Sequence, residues 1–328
     1  GSQLERIERL QSIAGGIAPL LSVNTDLAKH TAYLLKADLP TEMVGEFPEL
    51  QGVMGKYYAL ASGESAEVAN AIEKHYYPRF SGDALPDSQL AKVVALADKL
   101  ESLVGIWGIG LIPTGDKDPY ALRRAALGII RILLNEKLNP EQVNSLFKIT
   151  LDAFAGKNLA ADTLSGVENF VKQRLANYLS SVAGYATKIV NTVVLSADTI
   201  DFTSVVEVCD AFSKWSVSES NQELFEANKR IENILTKNAD SVDLSLNLNQ
   251  DLFNDYEKEL YLAASQVNGL IGIQLYLEQL SALAKPLTDF FANVMVMDND
   301  LSIRKNRLKL LSELYAKFSK YGKLSELA

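Results

Sequence analysis

Only one cysteine and two histidines occur in the 328 residues. With Cys209, His30 and His75 alone, no internal disulfide can form. Metal sites built from thiolates or from several imidazoles are nearly excluded. A single thiol makes a reducing, cytoplasmic setting the expectation. Long apolar runs are also missing: no stretch reaches the roughly 20 residues that a membrane-crossing helix needs, and no secretory apolar segment follows the start. Excess positive charge is absent too. The net charge is -9 and the pI near 5.0, which argues against a generally basic nucleic-acid binder and leaves room for local basic ridges. Strand signals are scarce. Residues 189–195 (Ile-Val-Asn-Thr-Val-Val-Leu) are the one candidate, and they read equally well as a buried helix.

What is present is helical periodicity, on a background of 48% hydrophobic and 22% charged residues. The spacing predicts an all-α chain. Gly1-Ser2 reads as a protease remnant of recombinant expression and is set aside. Breaks are expected at Gly15-Gly16, Pro40, Pro48, Gly63, residues 81–83, residues 113–115, Asn139-Pro140 and Gly156. They suggest a first helical domain over 3–135, a helical linker over 136–197 and a third block over 198–328, opened by Asp198 or Thr199 as N-cap.

Two acids stand in apolar surroundings: Asp38 in Lys36-Ala37-Asp38-Leu39, and Asp98 in Ala95-Leu96-Ala97-Asp98-Lys99-Leu100-Glu101. An acid buried there needs a partner. One reading is a metal or phosphate site; the other is a pair of carboxylates anchoring helices through Lys, Arg or backbone N–H groups. Their spacing resembles an HD-type helical domain, a family that binds a divalent metal through histidines, a His-Asp pair and a late aspartate. Ala37-Asp38 stands where His-Asp would be, and Asp98 matches the late aspartate. The resemblance implies the fold and a degenerate site without metal. His30 reads as a helix-surface histidine, and Cys209 as an inert core residue.

A second informative run is Pro113-Thr114-Gly115-Asp116-Lys117-Asp118-Pro119-Tyr120-Ala121-Leu122-Arg123-Arg124. Asp118-Pro119 predicts a helix start. Lys117, Arg123 and Arg124 then gather at that start, where they can contact RNA or brace the fold.

These runs, with Glu46-Phe47-Pro48-Glu49-Leu50-Gln51-Gly52, resemble the beta subunit of bacterial glycyl-tRNA synthetase. So do Phe290-Phe291-Ala292-Asn293-Val294-Met295-Val296-Met297-Asp298 and Ile303-Arg304-Lys305-Asn306-Arg307-Leu308. The matches are spread over nearly the whole chain. The resemblance implies a C-terminal part of that subunit, with a DALR-type anticodon-binding domain over 198–328. It implies tRNA(Gly) as ligand and an alpha subunit that activates glycine with ATP and magnesium. It further implies a second beta subunit in an alpha2-beta2 tetramer. This part alone is expected to hold no cofactor and no catalytic residue, and to bind neither DNA nor membrane.

On a helix after Asp300, Ile303, Leu310, Leu311, Leu314, Phe318 and Tyr321 share one face. Lys305, Lys309, Lys320 and Lys323 gather opposite. Arg304 falls at the boundary. Arg307 projects from the apolar face and calls for an acid, with Asp289, Asp298 and Asp300 at hand. Candidate tRNA contacts are therefore Arg304, Lys305, Asn306 and Lys309 here, Lys229 and Arg230 on another helix, and the Lys117–Arg124 group. Two other classes compete: an HD-type phosphohydrolase with an altered metal site, and a helical scaffold that only holds the alpha subunit.

Overall fold

Apolar residues recur at helical spacing through most of the chain, and the computed structural model is all-α accordingly. It describes residues 1–218, 221–241, 245, 247–267 and 272–328. Among them no strand forms; a single bridge pairs Thr114 with Lys117. The chain makes two compact units. One comprises residues 1–178 with 201–203, the other residues 179–200 with 204–328. Residues 136–197 are thus divided between them.

The first unit contains α1 (Gln3–Ile17), α2 (Thr25–Leu34), α3 (Glu42–Glu46), α4 (Val53–Ala61), α5 (Ala66–Lys74), α6 (Gln89–Gly108), α7 (Leu122–Glu136), α8 (Pro140–Asp152) and most of α9 (Thr163–Ser181). Helix α6 is buried nearly all round, from Leu90 to Val104, and α1, α2, α5, α7 and α8 pack on it. A helix apolar on every side belongs in a core. Each fully buried Leu or Val there contributes roughly 1.5–3 kcal/mol.

Local chemistry sets the helix ends. Ser2 and Glu5 form a capping box on α1, and Asn139 with Gln142 forms another on α8, where Pro140 opens the helix. The expected break at Gly15-Gly16 does not occur, since α1 runs through both. Their missing side chains serve packing instead. A Cβ on Gly15 would meet Lys29 at 2.4 Å, and one on Gly16 would meet Ile149 at 2.6 Å. Asp118 does not open α7 directly either. The helix starts at Leu122, and Ala121 takes a left-handed φ of 57°. Asp118 still caps from a distance, accepting the N–H groups of Leu122 and Arg123 at 2.8 and 2.9 Å.

The second unit contains α10 (Thr187–Val190), α11 (Val205–Trp215), α12 (Gln222–Lys237), α13 (Asp255–Ser265), α14 (Ile273–Ser281), α15 (Ala284–Asn293) and α16 (Leu301–Phe318). The ambiguous stretch 189–195 is helical, continuing α10 as a π-turn. Asp198 and Thr199 cap nothing: the next helix waits until Val205, behind a turn in which Asp201 accepts from Thr203. Helix α12 packs against α15 and α16. Cys209 is buried, and burial pushes its thiol up to about 12, where it is inert.

Candidate nucleic-acid interface

Asp38 lies in the turn after α2 and not inside a helix. Its Oδ2 accepts the N–H groups of Gly52 and Gly55 at 2.6 and 3.0 Å, so it caps α4 from outside. Gly52 has φ 79°, and a Cβ on Gly55 would crowd Ile72 at 2.7 Å, so both glycines are needed for that approach. Beside it, Lys36 fills the centre of a buried cluster. Its ammonium lies 2.7 Å from His75 Nε2, 3.1 Å from Asp98 and 4.2 Å from the centroid of the Tyr76 ring. Asp98 also accepts from Arg6 at 3.0 Å, and Glu101 binds both Arg6 and Arg9.

These residues do not fit a divalent metal. The imidazole and carboxylate that face each other are already joined by a cation, the Lys36 ammonium. Among the described residues no group of three His, Cys, Asp or Glu side chains converges. A phosphohydrolase reading therefore lacks its metal-activated water.

Charge follows from this geometry. Burial, and then the ammonium of Lys36, holds the His75 imidazole well below its ordinary range, so it stays neutral and accepts from Lys36. Burial alone would raise Asp98, but the charges of Lys36 and Arg6 outweigh it and hold the carboxyl low. A stability consequence follows. Below the ordinary imidazole pKa of about 6.5 the unfolded chain gains a proton on this histidine and the folded chain does not. The unfolded state then binds more protons, so stability falls as pH drops from 6.5 to 5, by at most about 1.4 kcal/mol per unit. Urea unfolding across that window should show the slope, and His75→Gln should remove most of it. A slope unchanged in the variant would mean that His75 is not held neutral.

The second cluster lies at the start of α7. Arg123 donates to the Gly115 carbonyl at 2.5 Å. Arg124 and Lys117 are exposed. Arg174 of α9 joins them: burial, and then the charge of Arg123, lowers its affinity for a proton. Its Nε is buried without an acceptor among the described residues. Asp118 is the nearby acid, and both its oxygens are committed to backbone N–H groups. The result is four cations that share this corner with two acids of the same loop, Asp116 and Asp118, next to exposed Ile112 and Tyr120. Such a patch suits a phosphate backbone. Arg131, by contrast, is tied to the carbonyls of Phe80 and Asp83.

In the second unit, α16 separates structural from available cations. Arg307 binds Glu257 at 2.8 Å, Asp298 at 2.8 Å and the Met295 carbonyl at 3.0 Å. Asn306 must be withdrawn as a base reader. It is buried, and its amide exchanges two hydrogen bonds with the Asn249 backbone, which leaves no free edge. The opposite-face lysine ridge is also thinner than the helical wheel suggests. Lys309 is largely buried and lies 3.5 Å from Glu313, and Lys323 binds Glu232 at 3.2 Å. Lys305 stays exposed. Arg304 spends its Nε on the Asp298 carbonyl at 2.7 Å. On α12, Lys229 and Arg230 are exposed, and the Arg230 guanidinium lies 4.2 Å from the Phe291 ring centroid.

Residues 1–195 match the family model described as glycyl-tRNA synthetase beta subunit, which covers more than half of the chain. This chain belongs to the glycyl-tRNA synthetase beta subunit family. Residues 224–321 match the DALR anticodon binding domain. Similar curated proteins are the glycine–tRNA ligase beta subunits of Neisseria gonorrhoeae, 49% identical over 325 residues, and Neisseria meningitidis, 47% identical over 324. Each alignment takes in 96% of this chain and 46% of the relative. That of Ralstonia nicotianae is 42% identical, over 100% of this chain and 47% of the relative. The chain thus spans about half the length of the curated relatives it matches.

Within the beta subunit family match lie the Lys36 cluster and the arginine patch; α12, α15 and α16 lie within the anticodon-binding match from Leu224 onward. Sequence reasoning missed His75, Arg6, Arg174 and Glu257. For Glu101 a signal existed, since it stands one helical turn from Asp98 and so faces the same cations. No local signal marks the others, whose partners are tens of residues away.

Proposed function

We propose that this chain is the tRNA(Gly)-binding part of a glycine–tRNA ligase beta subunit and performs no chemistry alone. The observation that carries this reading is the anticodon-binding match over residues 224–321 within a chain of the beta subunit family. Activation of glycine, with ATP and magnesium, belongs to the alpha subunit in an alpha2-beta2 assembly in the cytoplasm. No described helix is long and apolar enough to cross a membrane. The arginine patch of the first unit grips phosphates of the acceptor arm. The second unit takes the anticodon through Lys229, Arg230, Arg304 and Lys305, with Lys309 assisting from its largely buried position beside Glu313.

Salt dependence tests the first of these contacts. The affinity of the full beta subunit for tRNA should fall linearly with salt on a logarithmic scale. Arg124→Ala should flatten that line by up to about one unit and weaken every tRNA alike, because a phosphate contact carries no sequence information. An unchanged slope in Arg124→Ala, Arg123→Ala and Lys117→Ala would assign the patch to structure alone.

A further inference from the structure

In the first unit a groove of about 580 Å³ lies between the start of α1 and the turn that ends α2. Its walls are apolar: Leu4 and Ile7 of α1 line it together with Tyr33, Leu34, Leu39 and Pro40. Leu4 keeps 62% of its full exposure and Tyr33 keeps 53%. One exposed leucine by itself means nothing, whereas apolar side chains gathered around a concavity mark a surface that is covered in use. Charge is missing from the lining. Gln3 is neutral, and Lys36, the one cation among the lining residues, has its ammonium turned to His75 and Asp98 in the buried cluster. A phosphate backbone finds no free cation there. An apolar occupant finds a matching wall, and because Lys36 belongs to both groove and cluster, it also shields that ion pair from water.

We infer that this groove seats an apolar segment of the beta subunit's own chain, from the part that lies outside these 328 residues. Two observations choose that occupant. The chain spans about half the length of its curated relatives, so about as many residues again belong to such a subunit and are at hand to cover the groove. The groove is also small. Nine residues line it, against the roughly 20–30 per side that hold two separate proteins together. A contact of that size is too weak for a free partner, whether the alpha subunit or a second copy of this chain. A tethered segment needs far less, because the linkage supplies an effective concentration on the order of millimolar. The docking rests on family membership alone and stands whether or not the second unit binds tRNA.

The test compares the 328-residue chain, the full-length beta subunit alone and the holoenzyme. Tyr33→Cys and, on the α1 wall, Leu4→Cys place a thiol in the groove, and the rate of maleimide labelling at that position is read by mass spectrometry. Cys209 is buried and stays silent. Both new thiols should react freely in the 328-residue chain. In beta alone they should react more than about tenfold more slowly, as a site does that is exposed only by local opening. Adding alpha should change nothing further. Leu4→Asp should lower the melting temperature of beta alone by several degrees and leave that of the shorter chain unchanged, since an exposed aspartate is solvated and one under a docked segment is buried without a partner. Equal labelling in the shorter chain and in beta alone overturns the inference. So does protection that appears only with alpha, or only as the concentration of beta is raised, either of which gives the groove to a separate partner. A Leu4→Asp loss of equal size in both proteins assigns Leu4 to the fold of this unit and overturns it too.

Discussion

Replacing Arg307 with alanine should destabilise the second unit by about 3–5 kcal/mol, because it strands a buried carboxylate. Glu257 is fully buried, and Arg307 donates to both of its oxygens, at 2.8 and 3.4 Å. Burial alone would make the guanidinium easier to deprotonate, but Glu257 and Asp298 outweigh it and raise its affinity for the proton. The same side chain holds the Met295 carbonyl, so the loop that leads from α15 into α16 loses an anchor as well. Urea denaturation measures the loss. Arg307→Met combined with Glu257→Leu removes both charges and should cost markedly less than Arg307→Ala alone. A loss below about 1 kcal/mol in the single variant would mean that the pair is screened like an exposed one.

Asp98→Ala should be comparably damaging in the first unit, at about 3–5 kcal/mol. Asp98 is the partner that makes the buried Lys36 ammonium tolerable, and it holds Arg6 at 3.0 Å. Without it, Lys36 keeps only the neutral His75 and the face of Tyr76, while Arg6 keeps Glu101. Burial and Asp98 act on Lys36 in opposite directions, burial being the larger, so its proton is already held less tightly than usual. Removing the carboxylate drives the lysine further toward neutrality. Stability of Asp98→Ala should therefore improve as pH is raised, relative to wild type. A wild-type-like melting profile for Asp98→Ala would refute the view that the cluster is a closed charge network.

How far the sequence foretold these features depends on distance along the chain. Most helices were legible because they carry an apolar face at helical spacing, and several carry their own cap, as at Ser2, Asn139 and Asp300. The need of Arg307 for an acid was legible from its place on an apolar face, and Asp298 is only 9 residues away. Glu257, its buried partner 50 residues earlier, was not, because nothing local to α13 distinguishes it from a surface acid. Asn306 misled for the same reason: its partner backbone at Asn249 lies 57 residues away, and without it a polar side chain beside arginines looks free. Gly15-Gly16 misled in the opposite sense. Two glycines weaken a helix on their own, but here the close contact of Lys29 and Ile149 with α1 decides, and that contact is tertiary.

The Lys36 cluster shows why a resemblance to a metal-binding domain does not carry the chemistry with it. Here Asp38 serves as a helix cap, and Asp98 serves as the counter-ion of a lysine. The cation that Asp98 faces is a lysine ammonium, which is a structural role.

Anticodon binding by this chain without catalysis is the central expectation, and one measurement reaches it directly. A hairpin carrying the anticodon stem and loop of tRNA(Gly) is titrated against the 328-residue chain. Saturable binding that weakens with salt and is competed by full tRNA(Gly) is the predicted result. No binding of the hairpin under conditions where full tRNA(Gly) binds would contradict it, placing recognition outside the anticodon.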